Sequence, residues 1–92
     1  MSKRRSNISI YVEILRFIFN NQDMARPTHI MYKANLSYKT LNNYLNKMME
    51  EKLIEKKIVN GKTYFALAEK GKEFLIGYKK VKVFSDAFGI DI

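Results

Sequence analysis

The sequence predicts an α+β domain, mainly helical, built from three helices, a β-hairpin and a long final helix. Three observations carry that expectation. Apolar residues recur at helical spacing through 37–51, the period shortens to that of strands on either side of Asn60-Gly61, and helical spacing returns from Glu69.

Composition narrows the function. The 92 residues include 17 Lys and Arg against 9 Asp and Glu, a net charge of +8, and this balance points to a polyanionic partner. There is no cysteine, so no disulfide framework or thiolate metal site can form, and a reducing, cytoplasmic setting is expected. His29 is the single histidine, and a metal or other cofactor is not expected. Scattered carboxylates offer no convergent titratable constellation, so an enzyme is not expected either. No apolar run approaches the ~18 residues of a membrane span, no signal peptide is expected at the start, and the apolar faces are needed for a core.

The first eight residues, 1–8, form a polar arm in which Lys3, Arg4 and Arg5 are consecutive charges. Such an arm is either a solvated terminus or a run of cations lying along phosphates or in a minor groove. From 9 to 21 the pattern is helical, with Ile10, Tyr11, Ile14, Leu15, Phe17 and Ile18 on a broad apolar face and Glu13 and Arg16 on the wet side. Asn20-Asn21-Gln22-Asp23 ends it by turn chemistry. Pro27 suits the first turn of a second, short helix in which Ile30 and Met31 point inward. His29 reads as a surface residue or a phosphate neighbour.

Asn35-Leu36 leaves room only for a tight connection into the central helix, which Ser37 is placed to cap. Its inner face is Leu41, Leu45 and Met48, widened by Tyr44 and Met49. Its outer face carries Lys39, Asn42, Asn43 and Asn46. Asparagine is a mediocre helix former, so three on one face ask for a reason. A side-chain amide can pair with the N6 and N7 edge of adenine in the major groove; the plainer alternative is an asparagine-rich polar surface. Two helices joined so tightly, the second polar on its outer side, make a helix-turn-helix.

After Lys52, the runs 53–59 and 62–67 flank Asn60-Gly61, whose residues both suit the positive φ of a type I′ turn. Phe65 and Leu67 should face the helices, and Lys56, Lys57 and Lys62 cluster near the tip. Charges there solvate a turn and guard an edge; after a helix-turn-helix they also suit a wing. The last helix, 69–88, contains Gly71 and Gly77 as weak points, and Leu75 and Ile76 add apolar surface near its start. Phe74, Tyr78, Val81, Phe84 and Phe88 form a near-heptad seam. A helix of ~20 residues is ~30 Å long, longer than so small a domain can cover. The seam therefore implies a second copy of the chain, or else Phe84 and Phe88 fold back on the first helix. Residues 90–92 read as a frayed end.

The stretch Thr-His-Ile-Met-Tyr-Lys-Ala-Asn-Leu-Ser-Tyr at 28–38 resembles the Thr-Arg-Ile-Met-Tyr-x-Ala-Asn-Leu-Ser-Tyr motif of small archaeal winged-helix proteins. Glu-Lys-Gly-Lys-Glu-Phe-Leu at 69–75 is similar to the same family's opening of the last helix. The similarity runs from about Ile8 to Lys80. Members are described as predicted transcriptional regulators, with one branch of chromosomal DNA-binding proteins. The resemblance implies a winged helix-turn-helix that places the central helix and wing on DNA and dimerises through the last helix as an antiparallel coiled coil. His29 stands where the family often has Arg, Ala68 stands where a Thr cap is usual, and the last helix stops early.

The domain layout expected is an arm at 1–8, a winged helix-turn-helix at 9–67 and a C-terminal dimerisation helix at 68–92. The expected partner is double-stranded DNA, bound by a homodimer acting as a transcriptional regulator in the cytoplasm, at the nucleoid. Phosphate contacts are expected from Arg4 and Arg5 of the arm, Arg26 and Lys33 around the second helix, and Lys57 and Lys62 of the wing. Ser37, Tyr38, Lys39, Asn42, Asn43 and Asn46 are the contacts expected from the central helix. The expected dimer interface is Phe74, Tyr78, Val81, Phe84 and Phe88. Two alternatives are a chromosomal protein with little sequence preference and a winged-helix module that binds an acidic protein.

Overall fold

The computed structural model describes residues 6–90. In chain order the elements are α1 (Asn7–Asn20), α2 (Pro27–Ala34), α3 (Tyr38–Glu50), β1 (Ile54–Val59), β2 (Lys62–Leu67) and α4 (Glu69–Ala87). Arg4 and Arg5, and the end residues Asp91 and Ile92, lie outside the described residues.

Helix α1 starts two residues before the expected Ser9, because the Oγ of Ser6 accepts a hydrogen bond from the Ser9 amide at 3.1 Å and caps the first turn there. The helix closes where the Asn21 side-chain amide donates to the Phe17 carbonyl at 2.8 Å. Gln22 and Asp23 then take positive φ, 53° and 62°, and turn the chain back. This reversal lays Ala25 beside β2, where it exchanges two backbone hydrogen bonds with Phe65, at 3.2 and 2.8 Å. The Asp23 carboxylate accepts from the Leu67 amide at 2.9 Å, tying the same loop to the base of the hairpin.

Pro27 occupies the first turn of α2, where its missing N–H costs nothing. Asn35 ends α2 in the left-handed region at φ 54°, and the amides of Asn35 and Leu36 bond back to the Tyr32 and Met31 carbonyls. Ser37 then caps α3 by accepting from the Thr40 amide at 3.2 Å. The hairpin has the expected turn: Val59 pairs with Lys62, and Asn60 and Gly61 lie at φ 52° and 76°.

The core is where these elements converge. Ile14, Leu15 and Ile18 of α1, Ile30 and Ala34 of α2, Leu41, Leu45 and Met48 of α3, and Ile54, Phe65 and Leu67 of the hairpin form one buried cluster. Phe65 and Leu67 are inward as expected, yet Ala66 between them is buried too, so the base of β2 is covered on both faces.

Helix α4 is fixed to this body at its first turn. A methyl group on Gly71 would lie 2.2 Å from the Leu53 carbonyl oxygen and 3.4 Å from Leu67. Read from sequence, Gly71 is a weak point in a helix; in the fold it is the place where two backbones approach too closely for any side chain. Gly77 has open space around it. Ala68 provides no side-chain cap, but its amide bonds to the Leu53 carbonyl at 3.0 Å and Glu69 lies in the first turn, where its charge favours the helix dipole.

Candidate nucleic-acid interface

The division of α3 into two faces is complete. Leu41, Leu45 and Met48 are sealed in the core, with Tyr44 and Met49 half-buried beside them. Lys39, Asn43 and Asn46 are exposed and Asn42 is half-exposed, all on the opposite side. Tyr38 is exposed at the start of the helix. Ser37 is also exposed, and its hydroxyl serves the cap: besides accepting from the Thr40 amide, it donates to Thr40 Oγ1 at 2.9 Å. Glu50, exposed in the last turn, closes the outer face with a negative charge.

Tyrosines set how α3 sits on α1. The Tyr44 hydroxyl donates to Asn7 Oδ1 at 2.8 Å, and its ring meets the Tyr11 ring edge-on at 5.9 Å between centroids. Tyr11 in turn donates to Glu51 Oε1 at 2.7 Å, just past the end of α3. Burial of this hydroxyl, and then its hydrogen bond to the Glu51 carboxylate, push its pKa up from 10.0 to about 12. The same ring lies 6.0 Å from Phe74 of α4. Tyr11 therefore touches both the outward-facing helix and the final one.

The ladder sorts the hairpin lysines. Lys57 pairs with Tyr64 and Val59 with Lys62, so Lys57, Lys62 and Tyr64 share one face of the ribbon. Lys56 pairs with Phe65 and belongs to the other face. The guanidinium of Arg26 stacks on Tyr64, 5.4 Å from the ring centroid, which brings it to the side of Lys57 and Lys62. Its Nε is buried and has no partner among the described residues. Sequence spacing groups Lys56, Lys57 and Lys62 at the tip; strand pairing separates the first and adds Arg26. Lys33 is exposed in the last turn of α2. Among the described residues, no carboxylate lies in ion-pair range of Lys33, Lys39, Lys57 or Lys62; the ion pair described is Lys82–Asp86 at 3.3 Å.

One exposed residue escaped the sequence reading. Tyr32 stands fully out from α2 beside Lys33, as Tyr38 does beside Lys39 across the turn. The repeated Tyr-Lys pair was the available signal.

The aromatic seam of α4 divides. Phe74 and Tyr78 are half-buried toward α1, whereas Val81, Phe84 and Phe88 are exposed, the last two at 62% and 67%. Phe84 and Phe88 contact each other, with centroids 4.8 Å apart, and do not fold back on α1. Ser85 between them is buried and donates to the Val81 carbonyl. Among the described residues, no helix is long and apolar enough to cross a membrane.

Known proteins share this architecture. The family described as winged helix-turn-helix matches residues 4–85. An uncharacterised protein of Methanocaldococcus jannaschii is 38% identical over 55 residues, 60% of this chain and 25% of that protein. The chain thus spans a quarter of the length of its curated relative. Among solved structures, the DNA-binding protein Sso10a-2 of Sulfolobus solfataricus superposes with a TM-score of 0.74 at 22% identity, over 92% of this chain and 87% of its own. MepR, a transcription regulator of the Staphylococcus aureus multidrug efflux pump MepA, gives 0.78 at 15% identity, over 86% and 60%. At such identities these likenesses are of fold. The match to the family covers most of the sequence, and the chain belongs to the winged helix-turn-helix family.

Proposed function

We propose that the protein binds double-stranded DNA as a homodimer and acts as a transcriptional regulator, with α3 in the major groove and the hairpin on the adjoining backbone. The observation that carries this reading is α3 itself. Its inner face is consumed by the core, and its outer face offers amides and a lysine exposed or half-exposed among the described residues. Asn42 and Asn46 lie one turn apart, suited to adenine edges, and Lys39 suits a phosphate or a guanine. Lys57, Lys62 and the stacked Arg26 supply sequence-independent charge on one side of the wing, and Arg4 and Arg5 are proposed to extend it along the backbone. Exposed Val81, Phe84 and Phe88, with Phe74 and Tyr78 at their root, supply the dimer contact, since aromatic rings left in water favour a second copy.

A second reading is favoured by the net charge of +8, which binds phosphates whatever the base sequence. In that reading the protein coats chromosomal DNA with little sequence preference. Footprinting on genomic fragments at two salt concentrations decides between them. Discrete protected sites that persist at the higher salt support the regulator; uniform protection that fades with salt supports the coating protein; no protection at either salt removes both.

A further inference from the structure

The side of α4 turned away from the aromatic seam has its own chemistry, which neither DNA contact nor dimerisation uses. At about 100° per residue, Ile76 and Val83 stand roughly opposite Phe74. They are 57% and 63% exposed, and Phe19, at the end of α1, is 61% exposed beside Ile76. A groove of about 370 Å³ runs between α1 and α4 here, with Phe19, Leu67, Leu75 and Ile76 as its walls. Past Ile76 and Lys79 the apolar track continues along the open face of α4 to Val83. The track from Lys72 to Val83 is about 16 Å long, three turns of helix. Lys72, Lys79 and Lys80 stand along its rim. Of the acidic residues of α4, Glu73 lies in the groove on the seam side, while Glu69 and Asp86 stand at the two ends of the track, Asp86 paired with Lys82.

We propose that this groove is a docking surface for an acidic amphipathic helix of another protein. An apolar track of three turns fits side chains at i, i+3, i+4 and i+7 of such a helix, and the lysine rim complements carboxylates on its flanks. Two alternative occupants, a second copy and a nucleic acid, conflict with features of the site. A second copy would bring two lysine rims into one interface. A lipid surface would take the same exposed apolar groups, and vesicles separate it from a helix. A nucleic acid would meet the lysines but leave Phe19, Ile76 and Val83 without partners. The inference does not rest on DNA binding.

The test is fluorescence anisotropy with a labelled synthetic peptide of about five helical turns, leucines on one face and glutamates on its flanks. Controls are a scrambled peptide of the same composition, vesicles of phosphatidylserine and phosphatidylcholine, and a duplex DNA competitor. The protein should bind the ordered peptide with a Kd of about 10 µM and the scrambled one at least about tenfold more weakly. Ile76→Ser with Val83→Ser should weaken binding about tenfold or more, and so should Lys79→Glu with Lys80→Glu. The lysine pair is a surface change that leaves every core contact in place, so it stands as the deciding variant should the apolar pair lower the melting temperature. Phe84→Ser with Phe88→Ser should leave peptide binding unchanged. Equal affinity for the scrambled peptide would overturn the proposal, as would undiminished binding by the lysine variant. Vesicle binding lost in the Ile76 and Val83 variant, without peptide binding, would show a membrane face instead. Complete displacement of the peptide by DNA would show a general polyanion site.

Discussion

Helix α3 buries one side wholly and gives the other to solvent, whereas α4 carries apolar residues around much of its circumference and buries only those near its root. In α3, Leu41, Leu45 and Met48 have no remaining surface to offer, and what projects is polar. In α4, Ile76, Val81, Val83, Phe84 and Phe88 all remain in water. Among the described residues, the chain finishes the first helix and leaves the second uncovered. Apolar area left uncovered in this way is what the proposed protein contacts would bury, and the polar face of α3 is what the proposed DNA contact would use.

The largest effect expected is at the place where α4 is joined to the body. Gly71→Ala forces a methyl group against the Leu53 carbonyl and should destabilise the fold by about 2–3 kcal/mol, read from denaturant melts. Gly77→Ala meets nothing and should be neutral or stabilising by up to about 1 kcal/mol. Equal effects would show that the root of α4 is no tighter than its middle.

Next is the exposed end of α4. Phe84→Ser with Phe88→Ser should give a monomer whose winged domain melts normally, because the core cluster contains neither residue. Loss of the second half-site should weaken DNA binding by about 10²-fold. Sedimentation and a DNA titration on one sample test both parts. A wild type already monomeric at micromolar concentration defeats the dimer, and a monomeric variant with full affinity defeats its role.

On α3, Asn42→Ala with Asn46→Ala should cost about 1–3 kcal/mol of discrimination between preferred and random duplexes while sparing general affinity. An equal loss on both duplexes would make the amides mere surface. On the wing, Lys62→Ala should flatten the slope of log affinity against log salt by about one unit. Lys56→Ala should change that slope less, since strand pairing puts Lys56 on the other face.

The smallest effect concerns Tyr11, which touches both helices. Its hydroxyl stays protonated in the fold to about 12, against 10.0 ordinarily. Its stabilising share is therefore complete below about pH 10 and lost as pH climbs through about 12. Tyr11→Phe should remove this segment of the stability–pH curve. An unchanged curve would detach Tyr11 from the alkaline loss.

Local chemistry made much of this legible. The Ser37 cap, the sorted faces of α3, Pro27 at the start of α2 and the Asn60-Gly61 turn each depend on residues within a few positions of one another. What sequence left hidden depends on distant partners. The reason for Gly71 is a carbonyl at Leu53; the bridge from Ala25 to Phe65 joins a loop to a strand across two helices; the stack of Arg26 on Tyr64 needs the assembled sheet. The seam of α4 was visible as periodicity, but periodicity does not say that it passes from half-buried to open between Tyr78 and Val81.

The hairpin is moored unevenly. Its base is tied by the Asp23 carboxylate to the Leu67 amide and by two backbone bonds between Ala25 and Phe65. Beyond Phe65, the pairs Lys57–Tyr64, Ile58–Thr63 and Val59–Lys62 depend on the ribbon and one guanidinium stack. Mechanically it is a cantilever clamped at its root, stiff in where it starts and compliant in where it points. Native-state deuterium uptake should register this as a gradient, slowest at the amides of Phe65 and Leu67 and fastest beside Asn60 and Gly61. A tip that bends while its root holds register can follow a backbone whose groove width changes from one duplex to the next, with no rearrangement of the helices behind it.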